Sequence, residues 1–284
     1  MAVGALKGWC VIVVGVGLVV WINREIGMIF KVSNFGWCNV GFIRRFEDML
    51  PGFAVMVVND VEVVIYGEVM VGVVKGVFNV FGVVLGMGIG FGMVIDGKPY
   101  RGAIGLGGEF GYIKVDGGDF DLSCCVCGDF GCFEVYCGGK VIVEIVRLVV
   151  VRRDKVVFKS LLWCIVEVGD FVGYSDLEDV WLVGDKWVGE LFDCLVELLV
   201  IYIVNMAVVF ESEVIVFGGG GFFLVSRFVR KVVYFVGKKG VSNVRGCFDF
   251  KLVVFGDGAG LIGVVLIVFE SVGVEFKRGN KSWR

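Results

Sequence analysis

Residues 76–95 pass without a charged side chain, bounded by Lys75 and Asp96. A helix of that length would cross a bilayer. However, Gly76, Gly82, Gly86, Gly88, Gly90 and Gly92 fall inside it, with Asn79. Each glycine costs a helix roughly 1 kcal/mol relative to alanine. The stretch therefore reads as two buried strands, 80–86 and 91–95, around a glycine turn. Residues 11–22 are too few to span and are flanked by Lys7 and Arg24, and 195–210 contain Glu197 and read as a core helix. No small-residue cleavage site follows the first apolar run. The chain thus reads as soluble, with no membrane partner, although its mean hydropathy is +0.87.

The 284 residues leave room for one large or two ordinary domains. Twenty-seven basic against 30 acidic side chains give no basic face for nucleic acid. The absence of histidine excludes Ser-His and Cys-His catalysis and every imidazole-ligated metal. Thr and Gln are also absent, and Ala and Pro are scarce. All these residue types have codons with cytosine at the first or second position, and valine stands where alanine is ordinary. We read this as a coding strand that has lost cytosine to thymine; ordinary cytosine content at those codon positions in the gene would end that reading.

Along the chain, 11–20 read as a buried strand. The apolar spacing of Val40, Phe42, Ile43, Phe46 and Leu50 predicts a helix stopped by Pro51-Gly52. FAVMVV follows as a strand ending at Asn59-Asp60. VEVVIYGEVMVGVVKG reads as a helix punctuated by Glu62, Glu68 and Lys75. Asp96-Gly97 reads as a hairpin turn, because Pro99 defeats the P-loop alternative. Gly15-Val-Gly17 reads as strand packing. A glycine loop covers 102–111 and a cysteine-rich loop 117–139. Helices are expected at 140–152 and 186–207, a strand into a glycine loop at 214–221, and a last apolar element from Gly256. Strands alternating with helices give an α/β fold class.

Three groups of residues could carry chemistry. Alternating glycines from Gly86 to Gly92, and Gly218 to Gly221 after a strand, let backbone N–H groups approach an anion. Taken alone, each is also a plain tight turn. Cys125, Cys127 and Cys132 place three thiols in one short loop, where zinc would want a fourth ligand; Cys124 and Cys137 are near in sequence. Ten cysteines, half of them between 124 and 137, suit a reducing compartment. Asp60 ends a strand, where open α/β sheets place reactive groups. Glu109 lies in a glycine loop and Glu134 just beyond Cys132; each alone also suits a solvated surface.

In order, these motifs resemble the ROK family of repressors, open reading frames and sugar kinases. Its E-N-D-A-N-A-A-A-x-G-E stretch is similar to Val58–Glu68, and its L-G-T-G-I-G-G-G to Leu85–Gly92. Its R-G-x-x-G-x-x-G-E-x-G-H is similar to Arg101–Tyr112, and C-x-C-G-x-x-G-C-x-E matches Cys125–Glu134 without a gap. Asn205–Gly220 and Gly256–Val265 resemble two later family stretches.

The resemblance implies an actin-like ATPase (ribonuclease H-like) fold of two α/β domains. Residues 1–58 would be the remnant of the first and 59–284 the second, with the last helix packing back on the N-terminal part. It implies ATP-dependent phosphorylation of a hexose, with a sugar-responsive transcriptional regulator or an inactive kinase homologue as alternatives. Asp60 would be the general base, while Asn59, Glu109, Tyr112 and Glu134 would hold the sugar. Gly86, Met87, Gly88, Gly218 and Gly219 would hold ATP, accompanied by Mg2+, and Cys125, Cys127 and Cys132 a structural Zn2+. A cytoplasmic homo-oligomer is expected, with no nucleic acid unless a further N-terminal domain binds it.

The sequence also departs from the family. Tyr112 stands for a histidine that ligates zinc and touches sugar, Met87 for a threonine facing phosphate, and valines after Asp60 for alanines. Residues 11–60 align with the later half of the first domain. The chain is therefore expected to begin partway into it, lacking the D-x-G-G-T-K phosphate hairpin, and to turn over weakly.

Overall fold

The structure is a computed structural model that describes residues 13–18, 21–23, 26–32, 36–86, 88–115, 125, 127–151, 160–163, 173–219, 226–239, 249–255 and 258–274. Strand β1 (Val13–Leu18) pairs in parallel with β5 (Ala54–Asn59). Between them run an antiparallel meander, β2 (Trp21–Asn23), β3 (Met28–Val32) and β4 (Trp37–Gly41), and helix α1 (Phe42–Met49). Val55 and Val57 of β5 pack with Ile22, Ile29 and Phe42 in a small core. Strand β1 is half-buried rather than buried, and Gly17 is exposed. It reads as a buried strand in sequence because its valines outnumber the neighbours available to cover them.

Helix α2 (Asp60–Val71) follows β5 directly, then β6 (Val80–Leu85), β7 (Ile89–Ile95) and β8 (Lys98–Pro99). The uncharged run is thus a hairpin, with Leu85 opposite Ile89 and Gly82 opposite Gly92. At Asp96 and Gly97 φ is +50° and +77°, the double left-handed geometry of a two-residue hairpin turn. After a three-residue helical turn, Phe110–Tyr112, come α3 (Glu134–Cys137), α4 (Gly139–Val151), α5 (Tyr174–Leu182) and α6 (Lys186–Phe210). Strand β9 (Val214–Gly218), α7 (Ser226–Lys239), β10 (Asp249–Leu252) and α8 (Gly258–Ser271) follow among the described residues. The main sheet runs β10-β9-β6-β7-β8, with β10, β9 and β6 parallel.

Side chains alternate across that sheet, as the two-residue period of a strand requires. Phe81, Val83, Leu85, Phe91, Met93, Ile215 and Phe217 face a core shared with α4, α5, α6 and α7. Val80, Val94, Val214 and Val216 face α2 and α8. Helix α6 is long and apolar enough to cross a membrane, but half of its most apolar window is buried within the fold. Leu195, Val196, Leu199, Val200 and Ile203 supply that buried face.

Glycines let α2 lie close to the sheet on one side and to α8 on the other. A Cβ on Gly82 would meet the Ile65 side chain at 2.2 Å, and one on Gly90 would meet Val61 at 2.4 Å. On the other side, a Cβ on Gly263 would fall 1.7 Å from the Val63 carbonyl oxygen. Backbone cannot swing aside as a side-chain tip can, so Gly263→Ala must push α8 off α2. We expect it to cost about 1–3 kcal/mol, the usual range for overpacking. Urea denaturation checks this; an unchanged midpoint would contradict the close helix approach.

Candidate functional site

The junction of β5 and α2 builds the first part of the site. Asn59 Oδ1 accepts the backbone N–H groups of Val61 and Glu62 at 2.9 and 3.1 Å, capping the helix. The cap fixes the side chain, and its Nδ2 donates to Glu109 Oε1 at 3.2 Å. Glu62 Oε1 accepts from Arg101 Nε at 2.8 Å, tying the glycine loop of Glu109 to the same helix. Asn59, Asp60 and Glu109 are therefore one group.

Asp60, the first residue of α2, lines a cavity of about 530 Å³. Its walls come from Gly15 and Gly17 of β1, Val84 of β6, Gly219 after β9, Val253 after β10, and Gly260, Leu261 and Val264 of α8. That volume lies within the range of small-molecule and cofactor clefts. Gly219 has φ +127°, and a Cβ there would fall 1.8 Å from the Leu85 carbonyl oxygen. Only glycine lets the end of β9 pass this close to β6. Burial pushes the Asp60 carboxyl above its ordinary range, while the N–H groups of Val61 and Asp60 pull it back. A desolvated carboxylate held this way is a stronger proton acceptor than a surface one.

Glu134, Tyr112 and Gly88 form a second group. A Cβ on Gly88 would fall 2.3 Å from Glu134 Oε1, so the turn after β6 rests on this carboxylate. Burial raises the Glu134 pKa, and hydrogen bonds from the Tyr112 hydroxyl and the Ile89 N–H oppose the rise. The turn carrying Tyr112 is held from below by Tyr202 of α6, whose hydroxyl donates to the Phe110 carbonyl oxygen at 2.6 Å. Gly86 closes the β6–β7 turn through its N–H to the Gly88 carbonyl oxygen at 2.9 Å. Met87 and Gly220 lie outside the described residues. Gly218 packs under Val253 rather than lining the cavity.

The cysteine loop makes a third group. The Sγ atoms of Cys125, Cys127 and Cys132 lie within 4.8 Å of one another, with Cys127 and Cys132 at 3.5 Å. Tyr112 and Tyr136 pack against them. Cys137 is buried in the main core instead, and Cys124 lies outside the described residues. Three thiols supply three corners of a structural zinc site. Among the described residues, the group stops at three.

Sequence reasoning missed Glu68 as a positioning group. It is wholly buried, and its carboxylate accepts backbone N–H groups from Val73, Val254 and Phe255. The last two follow Val253 of the cavity wall. Its signal in sequence was an acid set among apolar residues, two turns beyond the acidic start of the helix.

The ROK family sequence profile matches residues 5–271. A glucokinase of Streptomyces coelicolor is 33% identical over 141 residues, which cover 50% of this chain and 43% of that one. The chain thus matches less than half the length of that relative. A glucokinase of Thermotoga maritima is 26% identical over 265 residues, covering 92% of this chain and 80% of that one. A ROK family glucokinase from Streptomyces griseus, solved with glucose and AMPPNP, superposes with a TM-score of 0.74 at 24% identity, covering 93% and 83%. A ROK family transcriptional regulator, a homologue of the E. coli MLC protein, also reaches 0.74, at 21% identity, covering 90% and 62%. These likenesses show the actin-like ATPase fold.

Proposed function

The chain belongs to the ROK family, and from that membership and the cleft geometry we propose that it phosphorylates a hexose at the expense of ATP. The observation that carries this reading is Asp60: a desolvated carboxylate at a helix start, on the wall of a cavity wide enough for a nucleotide.

Asp60 takes the proton from the sugar hydroxyl as that oxygen attacks the γ-phosphorus. Asn59 and Glu109, already joined by a hydrogen bond, hold neighbouring hydroxyls, and charged acceptors bind them more strongly than neutral ones. Glu134 and Tyr112 hold the sugar from the Gly88 side. Gly86, Met87, Gly88 and Gly219 give the phosphates and nucleoside close approach to backbone. ATP, with Mg2+, supplies the phosphoryl group, and the protein's part is positioning and charge stabilisation. In this reading residues 1–58 belong to the first α/β domain and 59–284 to the second, and a cytoplasmic homo-oligomer acts on the sugar.

A sugar-responsive regulator is the second reading, favoured by the equal superposition on the MLC homologue. A coupled ADP-release assay over a hexose panel separates the two, run on this chain and on a Tyr112→His, Met87→Thr version. We expect slow, hexose-dependent ADP release that rises in the double variant. Hexose binding without any ADP release in either version would overturn the kinase reading in favour of the regulator.

A further inference from the structure

The three thiols sit in a bowl whose shape is set independently of any ion. Lys114 and Cys132 form an isolated antiparallel bridge, flanked by Val115 N–H to the Gly131 carbonyl oxygen at 2.9 Å and Phe133 N–H to the Ile113 carbonyl oxygen at 2.9 Å. Across the turn, the Cys125 N–H donates to the Asp129 carbonyl oxygen at 2.8 Å and the Gly128 N–H to the Cys125 carbonyl oxygen at 2.8 Å. Cys125 and Cys132 are 3% and 0% exposed, so whatever they bind leaves water.

Tetrahedral zinc fits this bowl poorly. The chain has no imidazole to offer. The polar groups packed beside the sulfurs are the phenols of Tyr112, which is hydrogen-bonded to Glu134, and Tyr136; a phenol, with a reference pKa of about 10, is a poor metal ligand at neutral pH. Lys114 is paired with Asp129 at 2.8 Å and also hydrogen-bonds Cys132 at the rim of the bowl. Among the described residues, zinc on these three thiolates would be left with an open fourth corner, where a structural site wants four ligands.

We propose that Cys125, Cys127 and Cys132 form a binding site for a soft, three-coordinate thiophilic ion of the trivalent arsenic class. Three thiolates neutralise a trivalent ion, so the buried centre carries no charge. Its lone pair fills the fourth direction, so no fourth ligand is required. The reaction is ligand exchange: three As–OH and three S–H bonds break, three As–S bonds form, and three waters leave with no change of oxidation state. The site goes beyond the phosphotransfer reading and stands or falls without it.

The test uses the full chain, reduced and stripped of metal, with arsenite as the probe and zinc as competitor. We expect native mass spectrometry to find one arsenic per chain and X-ray absorption to find three sulfurs around it. Equimolar zinc should not displace it. Cys127→Ser, at the half-buried corner, should abolish binding with an unchanged circular dichroism spectrum. Cys124→Ser and the exposed Cys38→Ser should leave it intact. Zinc bound by four sulfurs and lost on Cys124→Ser, or no arsenic on the parent chain, would overturn the proposal.

Discussion

Glu68→Ala is expected to remove much of the chain's stability while touching no residue of the cavity surface. The Glu68 side chain is 0% exposed and accepts three backbone N–H groups: Val73 at 2.9 Å on one oxygen, and Val254 at 2.9 Å and Phe255 at 3.2 Å on the other. Alanine leaves all three part-buried donors without this acceptor. At about 1–3 kcal/mol for each orphaned donor the loss would span roughly 3–9 kcal/mol, and we expect the low end because the three bonds are part-buried. A domain has only about 5–15 kcal/mol in total. Glu68→Gln should lose less: its amide oxygen can still serve Val254 and Phe255, while its NH2 would face the Val73 N–H. Chemical denaturation of the three proteins gives the order. Equal midpoints for Ala and parent would show that the carboxylate does not clamp the 253–255 segment.

Glu68 also shows where sequence reading stops. It was read as polar punctuation on a helix, alongside Glu62 and Lys75. Only Lys75 is exposed; Glu62 pairs with Arg101, and Glu68 is the most buried charge on α2. A helix covered by a sheet on one side and α8 on the other has no polar stripe, so charge position along it does not report solvent. Valine content misled in a related way: the helix ends at Val71, before the predicted stretch does, because Glu68 draws the chain at Val73 and Val74 into turns through its side-chain and backbone oxygens. The β6–β7 hairpin and the Asp96-Gly97 turn were legible because glycine spacing and Asp-Gly chemistry are local. The meander over 21–41 was not, since its strands are short and lack a clean alternation.

Within the site, Asp60 and its capping neighbour Asn59 could be read from the strand end. That Glu109 reaches Asn59 across 50 positions could not, because it depends on how the 101–108 loop folds back. Nor could the split between the Asp60 group and the Glu134 group, which only the packing of Gly88 on Glu134 reveals. The valines after Asp60 stand where the family has alanines, and their extra methyls need room. Val61 and Val63 are buried against Gly90 and Gly17, where missing side chains leave room for their extra methyls.

Asp60→Asn should separate catalysis from stability. As general base, Asp60 must accept a proton, which asparagine cannot do; turnover should fall by about 10²–10⁴-fold. In the parent, the acid limb of the turnover profile should lie above the ordinary carboxylate range, because burial raises this group. Stability should move the other way. A carboxyl whose folded pKa exceeds its unfolded value binds its proton more tightly when folded. The parent's stability therefore falls as pH rises from the ordinary carboxylate value through the raised one, and the cost is complete above it. Asparagine escapes that cost. The variant should match the parent's stability at low pH and exceed it at neutral pH. Thermal melts across pH, paired with the ADP-release assay, read both effects. A variant that keeps turning over would remove Asp60 from the centre of the reaction; one less stable than the parent at neutral pH would show that burial of the charged carboxylate costs the fold nothing.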